Sequence, residues 1–221
     1  MTGNSIRVLH LYPRELGING DVGNVMALAK RAQWRGMPLE VLNHDVGSTL
    51  PDQVHLVHIG SGPVSEQLAV HADLLTIAPT LREWAAADVP FLAIAGGWQL
   101  LGHTLTLADG TVVEGAGVFP TSTTLSTQRF VDEVWTPDAA GFENHSAATS
   151  GAPGLVLEHG ASVATNLHGP FLPMNPSWAD RLLERAAALA GVPVGEPDER
   201  IARADDYAER SRRDIRKRLG L

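Results

Sequence analysis

Apolar positions along the first hundred residues alternate between a strand period and a helix period. Ile6–Tyr12 is a short β-rich run. Asp21–Arg35 then places Val22, Val25, Met26, Ala29 and Ala32 at helical spacing, with Gly36 as the stop. Leu39–Leu42 and Val54–Ile59 are the next apolar runs, the second ending in Gly60-Ser61-Gly62-Pro63. Two helices, Val64–Ile77 and Leu81–Ala87, are predicted on either side of a break near Pro79. Phe91–Ala95 reads as a compact buried strand that runs straight into Gly96-Gly97-Trp98-Gln99. Strands alternating with helices predict an α/β fold, a mostly parallel, doubly wound sheet with helices on both faces.

Between Ala108 and Val163 the pattern changes to Gly, Thr and Ser with short alternating pieces, Ser122–Thr127, Arg129–Trp135 and Leu155–His159. These predict a small antiparallel edge on the same domain. Two helices close the chain, Trp178–Ala190 and a charged one from about Asp198 to Leu219. The expected division is a main domain over 1–195 and a charged C-terminal helix over 196–221. Its Arg210–Arg218 run reads as a solvated face with cations at the favourable end of the helix dipole.

A length of 221 residues suits one domain with a sizeable core. The net charge of −8 argues against a nucleic-acid backbone or an anionic membrane as partner. No apolar stretch approaches the roughly 18 residues of a membrane span, and the start of the chain lacks a signal-peptide apolar region, so a cytoplasmic location is expected. There is no Gly-rich Lys-Ser/Thr phosphate loop. The cysteine count is zero. That excludes disulfides, thiolate metal sites and a thiol nucleophile in the chain as it stands.

The absence of sulfur meets its sharpest contrast at position 95. A buried strand that turns into a helix within one residue leaves the corner residue exposed and strained, and glycines at the next positions let the chain turn. The helix start presents free N–H groups and the positive end of its dipole, a setting that suits a nucleophile and its oxyanion. A plain packing turn would need the same glycines.

Ala95-Gly96-Gly97-Trp98-Gln99-Leu100-Leu101-Gly102 resembles the nucleophile elbow of class I glutamine amidotransferases of the cobyric-acid-synthase-like branch, whose pattern begins with cysteine and has tyrosine at the place of Trp98. Four further segments resemble the same branch in the same order. They are Asn19-Gly20-Asp21-Val22-Gly23-Asn24, Ile59-Gly60-Ser61-Gly62 with Glu66-Gln67, Gln128-Arg129-Phe130 with Gly141-Phe142-Glu143-Asn144-His145-Ser146, and Asn166-Leu167-His168-Gly169-Pro170-Phe171-Leu172-Pro173.

The resemblance implies a fold of the class I amidotransferase type and an activity, hydrolysis of glutamine to glutamate and ammonia. It places the nucleophile at Ala95, where cysteine is expected, and the base at His168, with His145 a competitor of lower rank. Gly60, Ser61, Gly62 and Gly96 would form the oxyanion hole. Arg129 would take the α-carboxylate of glutamine, since a guanidinium fork matches a carboxylate, and Gln99 would face the substrate. The glutamate that often follows the histidine is Pro170 here, so an orienting acid would come from elsewhere, a partner protein being the expected donor.

A chain of this length has no room for the synthetase domain of a cobyric acid synthase. The resemblance therefore implies a stand-alone glutaminase serving a MurT-like subunit of the Mur-ligase family, which amidates the D-glutamate of lipid II in peptidoglycan synthesis. No cofactor is expected in this chain, ATP and Mg²⁺ belonging to the partner. Ala95 itself has two readings, a cysteine-to-alanine variant of a glutaminase or a natural, catalytically dead scaffold or regulator. The motifs also fit the amidotransferase of a cobyric-acid-type amidation. The strand–helix pattern without the motifs fits a small-molecule binding protein on a flavodoxin-like sheet.

Overall fold

A computed structural model describes residues 4–221 apart from Asn19, Pro153 and Gly169. Two of the positions quoted above, Asn19 and Gly169, thus lie outside the described residues.

The first half builds the expected α/β framework. In chain order it comprises β1 (Ile6–Leu11), α1 (Val22–Trp34), β2 (Leu39–His44), β3 (Leu56–Ile59), α2 (Val64–Ala86), β4 (Phe91–Ile94) and α3 (Gly96–Leu101). β5 (Thr104–Thr106), β6 (Val112–Glu114), β7 (Ser122–Trp135), β8 (Ala140–Ser150), β9 (Val156–His159), β10 (Ser162–Thr165) and β11 (Leu167–His168) follow. The chain ends in α4 (Phe171–Met174), α5 (Pro176–Ala190) and α6 (Glu199–Arg218).

The main sheet has the order β2-β1-β3-β4-β10-β9, parallel throughout except for β9, its antiparallel edge. β3 and β4 are buried at every residue, which is why their sequences read as continuous apolar runs. Alternate side chains feed two cores. Leu9, Leu11, Val57, Ile59, Phe91 and Ala93 pack with Val70, Leu74 and Leu81 of α2. Val8, Leu56, Leu92 and Ile94 pack with Leu28 and Ala32 of α1 and Leu182 and Ala186 of α5.

The rest of the portion predicted as an antiparallel edge forms a second sheet of order β11-β8-β7-β5-β6, antiparallel except between β5 and β7. Its two long strands correct the sequence reading. Ser122–Thr127 and Arg129–Trp135 belong to the single strand β7, with a register irregularity between Leu125 and Phe130, and β8 is a long strand around His145 that the predicted pieces did not include. Residues 126–132 are exposed, so no apolar alternation betrays the continuity.

α2 also runs unbroken through Pro79. Leu74, Ile77, Ala78 and Leu81 on both sides of the proline are buried in one core, and that burial outweighs the hydrogen bond that proline cannot donate. The arginine run of α6 is only partly solvated. Arg212 donates to Asn175 Oδ1 and to the Pro137 carbonyl, Arg218 is paired with Glu133, and Arg216 lies over the Trp135 ring. At the other end of α6, Asp205 joins Asp180 of α5 on the buried Arg31 of α1. No helix among the described residues is long and apolar enough to cross a membrane.

Candidate active site

The C-terminal ends of β3 and β4 and the two long strands of the second sheet enclose a cleft of about 290 Å³. Ser61, Gly62, Gln67, Ala95, Gly96, Gln99, Arg129, Asn144, His145 and His168 line it, together with Ile18, Pro63, Val64, Leu125 and Ser146. Every predicted site residue except Gly60 is therefore on one wall or another of a single recess.

Ala95 is the corner. Its backbone has φ 42° and ψ −105°, a conformation that L residues rarely adopt and that costs on the order of 1–3 kcal/mol. The expected strain is present and the expected exposure is not, since Ala95 is 2% exposed. The cause is the tight packing of α3 on the loop after β3. A Cβ on Gly96 would stand 2.7 Å from Gln67 Nε2, and one on Gly97 would stand 2.5 Å from the Gly60 carbonyl oxygen. Both glycines thus serve close approach as well as the turn.

The Gly60–Gly62 loop is held at three points. Ser61 N–H donates to Asp21 Oδ2 at 2.7 Å, Ser61 O accepts from Ile18 N–H at 3.2 Å, and Gln67 Nε2 donates to Gly62 O at 3.0 Å. This corrects the predicted oxyanion hole. The Ser61 amide is already committed to Asp21, and Gly60 sits behind the cleft wall, where an added Cβ would lie 2.1 Å from Leu16 O. Of the four predicted residues, Gly62 and Gly96 remain as cleft-lining candidates, and the Gly96 N–H lies in the first turn of α3, where no intrahelical acceptor exists. Asp21 is buried, which raises its carboxyl to about 7 against the opposing pull of the Ser61 bond.

His168 enters from the second sheet. The chain leaves the main sheet at Asn166, β10 staying there while β11 pairs His168 with Phe142 of β8. Its imidazole is lowered to about 4 by burial first, and then by His145 and Arg129. At neutral pH it is uncharged and able to accept a proton. Nδ1 is buried with no hydrogen-bond partner among the described residues. His145 is differently placed. Its Nε2 faces Glu143 Oε1 at 3.3 Å and its Nδ1 accepts from Ala147 N–H at 3.2 Å, so both ring nitrogens are engaged. Of the two cleft histidines, His168 is the one with an unengaged nitrogen.

Arg129 on β7 donates Nε–H to Asn144 Oδ1 at 2.8 Å. That bond fixes the guanidinium plane and leaves its two terminal nitrogens for a ligand carboxylate. Gln99 and Gln67 are buried, and each has a side-chain oxygen with no partner among the described residues. The remaining histidines lie outside the cleft, although two groups of them are more organised than the sequence suggested. His44 and Tyr12 both bond Asp73 Oδ2, at 2.8 and 2.7 Å, and the rings of His10 and His58 stand 5.1 Å apart.

Two contributors had no assigned role in the sequence reading, Asp21 and Gln67, the clamps of the Gly60–Gly62 loop. Their partners on the loop are backbone atoms, so no residue type at the other end marks the pairing. A larger groove, about 500 Å³ between α1, α4 and α6, is lined mostly by apolar side chains and gathers no comparable chemistry.

Residues 7–176 match the CobB/CobQ-like glutamine amidotransferase domain. The chain is 31% identical over 220 residues to the GatD subunit of the glutamine-hydrolysing lipid II isoglutaminyl synthase of Staphylococcus aureus (strain N315), with 89% of this chain and 90% of that one covered. It is 30% identical over 155 residues to the corresponding subunit of Streptococcus pneumoniae (strain ATCC BAA-255 / R6), covering 65% and 58%. A cobyric acid synthase of Desulforudis audaxviator (strain MP104C) is 27% identical over 164 residues, 61% of this chain and 32% of that one. The domain match takes in Ala95, the Gly60–Gly62 loop, Arg129 and His168 alike, and the chain belongs to the CobB/CobQ-like glutamine amidotransferases.

Proposed function

We propose that this chain is the glutamine-binding subunit of a two-component lipid II amidating enzyme, held inactive in glutamine hydrolysis by the methyl group at position 95. The observation that carries the reading is the positive-φ corner at Ala95 inside a cleft that also holds His168 and Arg129. The similarity to GatD subunits over nearly the whole chain favours lipid II as the destination of the nitrogen over a cobyric-acid-type acceptor.

With cysteine at 95 the chemistry closes. The Arg129 guanidinium takes the α-carboxylate of glutamine, and Gln99 Oε1 accepts from a ligand N–H. The thiolate adds to the side-chain amide carbon, and the N–H groups of Gly62 and Gly96 receive the charge on oxygen. His168, having taken the thiol proton, gives it to the departing nitrogen, so ammonia leaves and a glutamyl thioester remains. A water deprotonated by His168 then releases glutamate and restores the thiol. The ammonia passes to a MurT-like Mur-ligase-family partner, which uses ATP and Mg²⁺ to amidate the D-glutamate of lipid II. The bare Nδ1 of His168 supports a heterodimer in which the partner supplies the orienting carboxylate. The assembly would work in the cytoplasm, where ATP is available.

A second reading has its own observation, Ala95. A methyl cannot attack an amide, and a chain with no cysteine offers no substitute thiol. On this reading the chain is a natural scaffold or regulator that binds glutamine without cleaving it.

Ala95→Cys mixed with the Mur-ligase-like partner, ATP and glutamine tests both. Glutamate release well above the alanine form supports the glutaminase reading, and its absence with intact glutamine binding supports the scaffold. Calorimetric titration of the alanine form is expected to detect glutamine, and Arg129→Ala to weaken it by about 10–100-fold, the worth of a charge-assisted pair. Failure of glutamine to bind with or without the partner rejects both readings.

A further inference from the structure

The residues that open α1 touch both halves of the cleft. Asp21 takes the Ser61 amide of the oxyanion loop. Three positions on, Asn24 Oδ1 accepts from Leu172 N–H at 2.8 Å, a buried bond across 148 residues of sequence. Between them Gly23 lies under Pro170, and a Cβ added there would stand 2.5 Å from Pro170 Cγ. Pro170 and Leu172 belong to the segment that leaves His168. Among the described residues that histidine sits in a two-residue strand with two register pairs, Leu167 with Glu143 and His168 with Phe142. So short a ladder restrains a side chain weakly, and the chain on its C-terminal side needs an independent seat.

We propose that Gly23 and Asn24 are positioning residues, which seat the Pro170–Leu172 segment on α1 and thereby set the place of the His168 imidazole relative to position 95. Because Asp21 fixes the oxyanion loop from the same helix start, one turn of α1 keeps the base, the oxyanion donors and the elbow in a common frame. A displacement of about 1 Å in such a frame is enough to cost two orders of magnitude in rate. The inference rests on the reading of His168 as the base, and its test does not use glutamine.

Two variants probe it. Asn24→Ala removes the acceptor of Leu172 N–H. Gly23→Ala leaves that acceptor in place and pushes on Pro170, while raising the local helix propensity. The first readout is the titration of His168 followed by NMR. It is expected to move from its depressed value toward the ordinary 6.5 by about one unit or more in both variants, as the ring leaves its buried seat. The second is iodoacetamide alkylation of an Ala95→Cys form, expected to slow about fivefold or more near neutral pH in both variants and equally in His168→Gln. A merely structural role would change the melting temperature and leave both readouts alone. If Asn24→Ala fails to fold, Gly23→Ala decides by itself. Retention of the His168 titration and of an alkylation rate within twofold of the parent overturns the proposal, whatever glutamine does.

Discussion

The backbone amide of Ala95 donates to the Thr165 carbonyl at 2.8 Å, so the strained corner is bonded to the strand that ends three residues before His168. Thr165 is itself anchored, its hydroxyl donating to Leu155 O at 2.7 Å and accepting from Leu167 N–H at 3.1 Å. The point at which the chain leaves the main sheet for the second sheet is therefore pinned on both sides. Burial holds His168 neutral there. A carboxylate brought to its Nδ1 would raise its proton affinity.

Strain at the corner has a thermodynamic signature. Ala95→Gly gives up a buried methyl worth about 0.8 kcal/mol and adds backbone entropy to the unfolded chain, but it releases strain on the order of 1–3 kcal/mol. The expected net change in unfolding free energy is within about 1 kcal/mol of zero. Ala187→Gly is the comparison, an equally buried alanine inside α5 with no strain to release, and it should cost about 2 kcal/mol. Urea unfolding of the two variants checks this, and equal losses would mean that the corner is not strained.

Close approach at the next turn gives a sharper outcome. In Gly97→Ala the new Cβ would meet the carbonyl oxygens of Gly60 and Ile59 at 2.5 and 2.8 Å, backbone atoms that cannot swing aside. A loss of about 3 kcal/mol is expected, at the upper end of overpacking costs. Gly154→Ala, whose Cβ would meet no atom within 4 Å, should stay within about 0.5 kcal/mol of the parent. Thermal melting of the pair is sufficient.

The elbow was legible because its parts are contiguous. Phe91–Ile94 is an uninterrupted apolar run and Gly96-Gly97 follows at once, so one short window holds both the strand and the reason it turns. Arg129 and His168 were legible through their neighbours in sequence. The clamps were not, because Asp21 acts on a backbone amide 40 residues away and Asn24 on one 148 residues away. β7 was read in pieces because residues 126–132 face solvent, and β8 was not read as a strand because its buried and exposed positions do not alternate. The docking of α6 escaped notice because Arg31, which holds it, looks like any cation on an amphipathic helix until Asp180 and Asp205 converge on it.

Asp21 should give the stability curve a component of unusual sign. Its folded carboxyl is raised to about 7, chiefly by burial, so the native chain keeps a proton that the unfolded chain loses near 3.9. The stability this contributes is complete below about pH 4 and is lost as pH rises through about 7. His10, His58 and His168, lowered by burial to about 4, 3 and 4, act in the opposite sense, their contribution fading as pH falls below 6.5. Asp21→Asn removes the first effect alone, since an amide oxygen still accepts from Ser61. From pH 4 to 7.5 the variant should therefore gain on the parent by on the order of 3 kcal/mol in urea unfolding. A difference that is flat with pH would show that Asp21 ionises normally in the fold.

Arg31 is the mechanical link between the framework and the last helix. Its buried guanidinium pairs with Asp180 at 2.5 Å and with Asp205 at 2.6 Å, and α6 in turn holds the turn end of the β7–β8 hairpin through Arg212 on the Pro137 carbonyl and Arg218 on Glu133. Arg31→Ala leaves Asp205 without its cation and Asp180 with Arg35 alone beside a void, and a loss of about 3 kcal/mol is expected. Arg31→Lys keeps the charge but cannot serve both carboxylates with a planar fork, so it should recover only part of that loss. Amide hydrogen exchange separates the local effect from the global one. Protection in α6 should fall further than in β1 or β4, because the framework strands keep their cores while the helix loses the buried ion pair that ties it to α1. Equal loss of protection across α6 and the main sheet would mean that the helix unfolds only with the whole domain and that Arg31 is no special link.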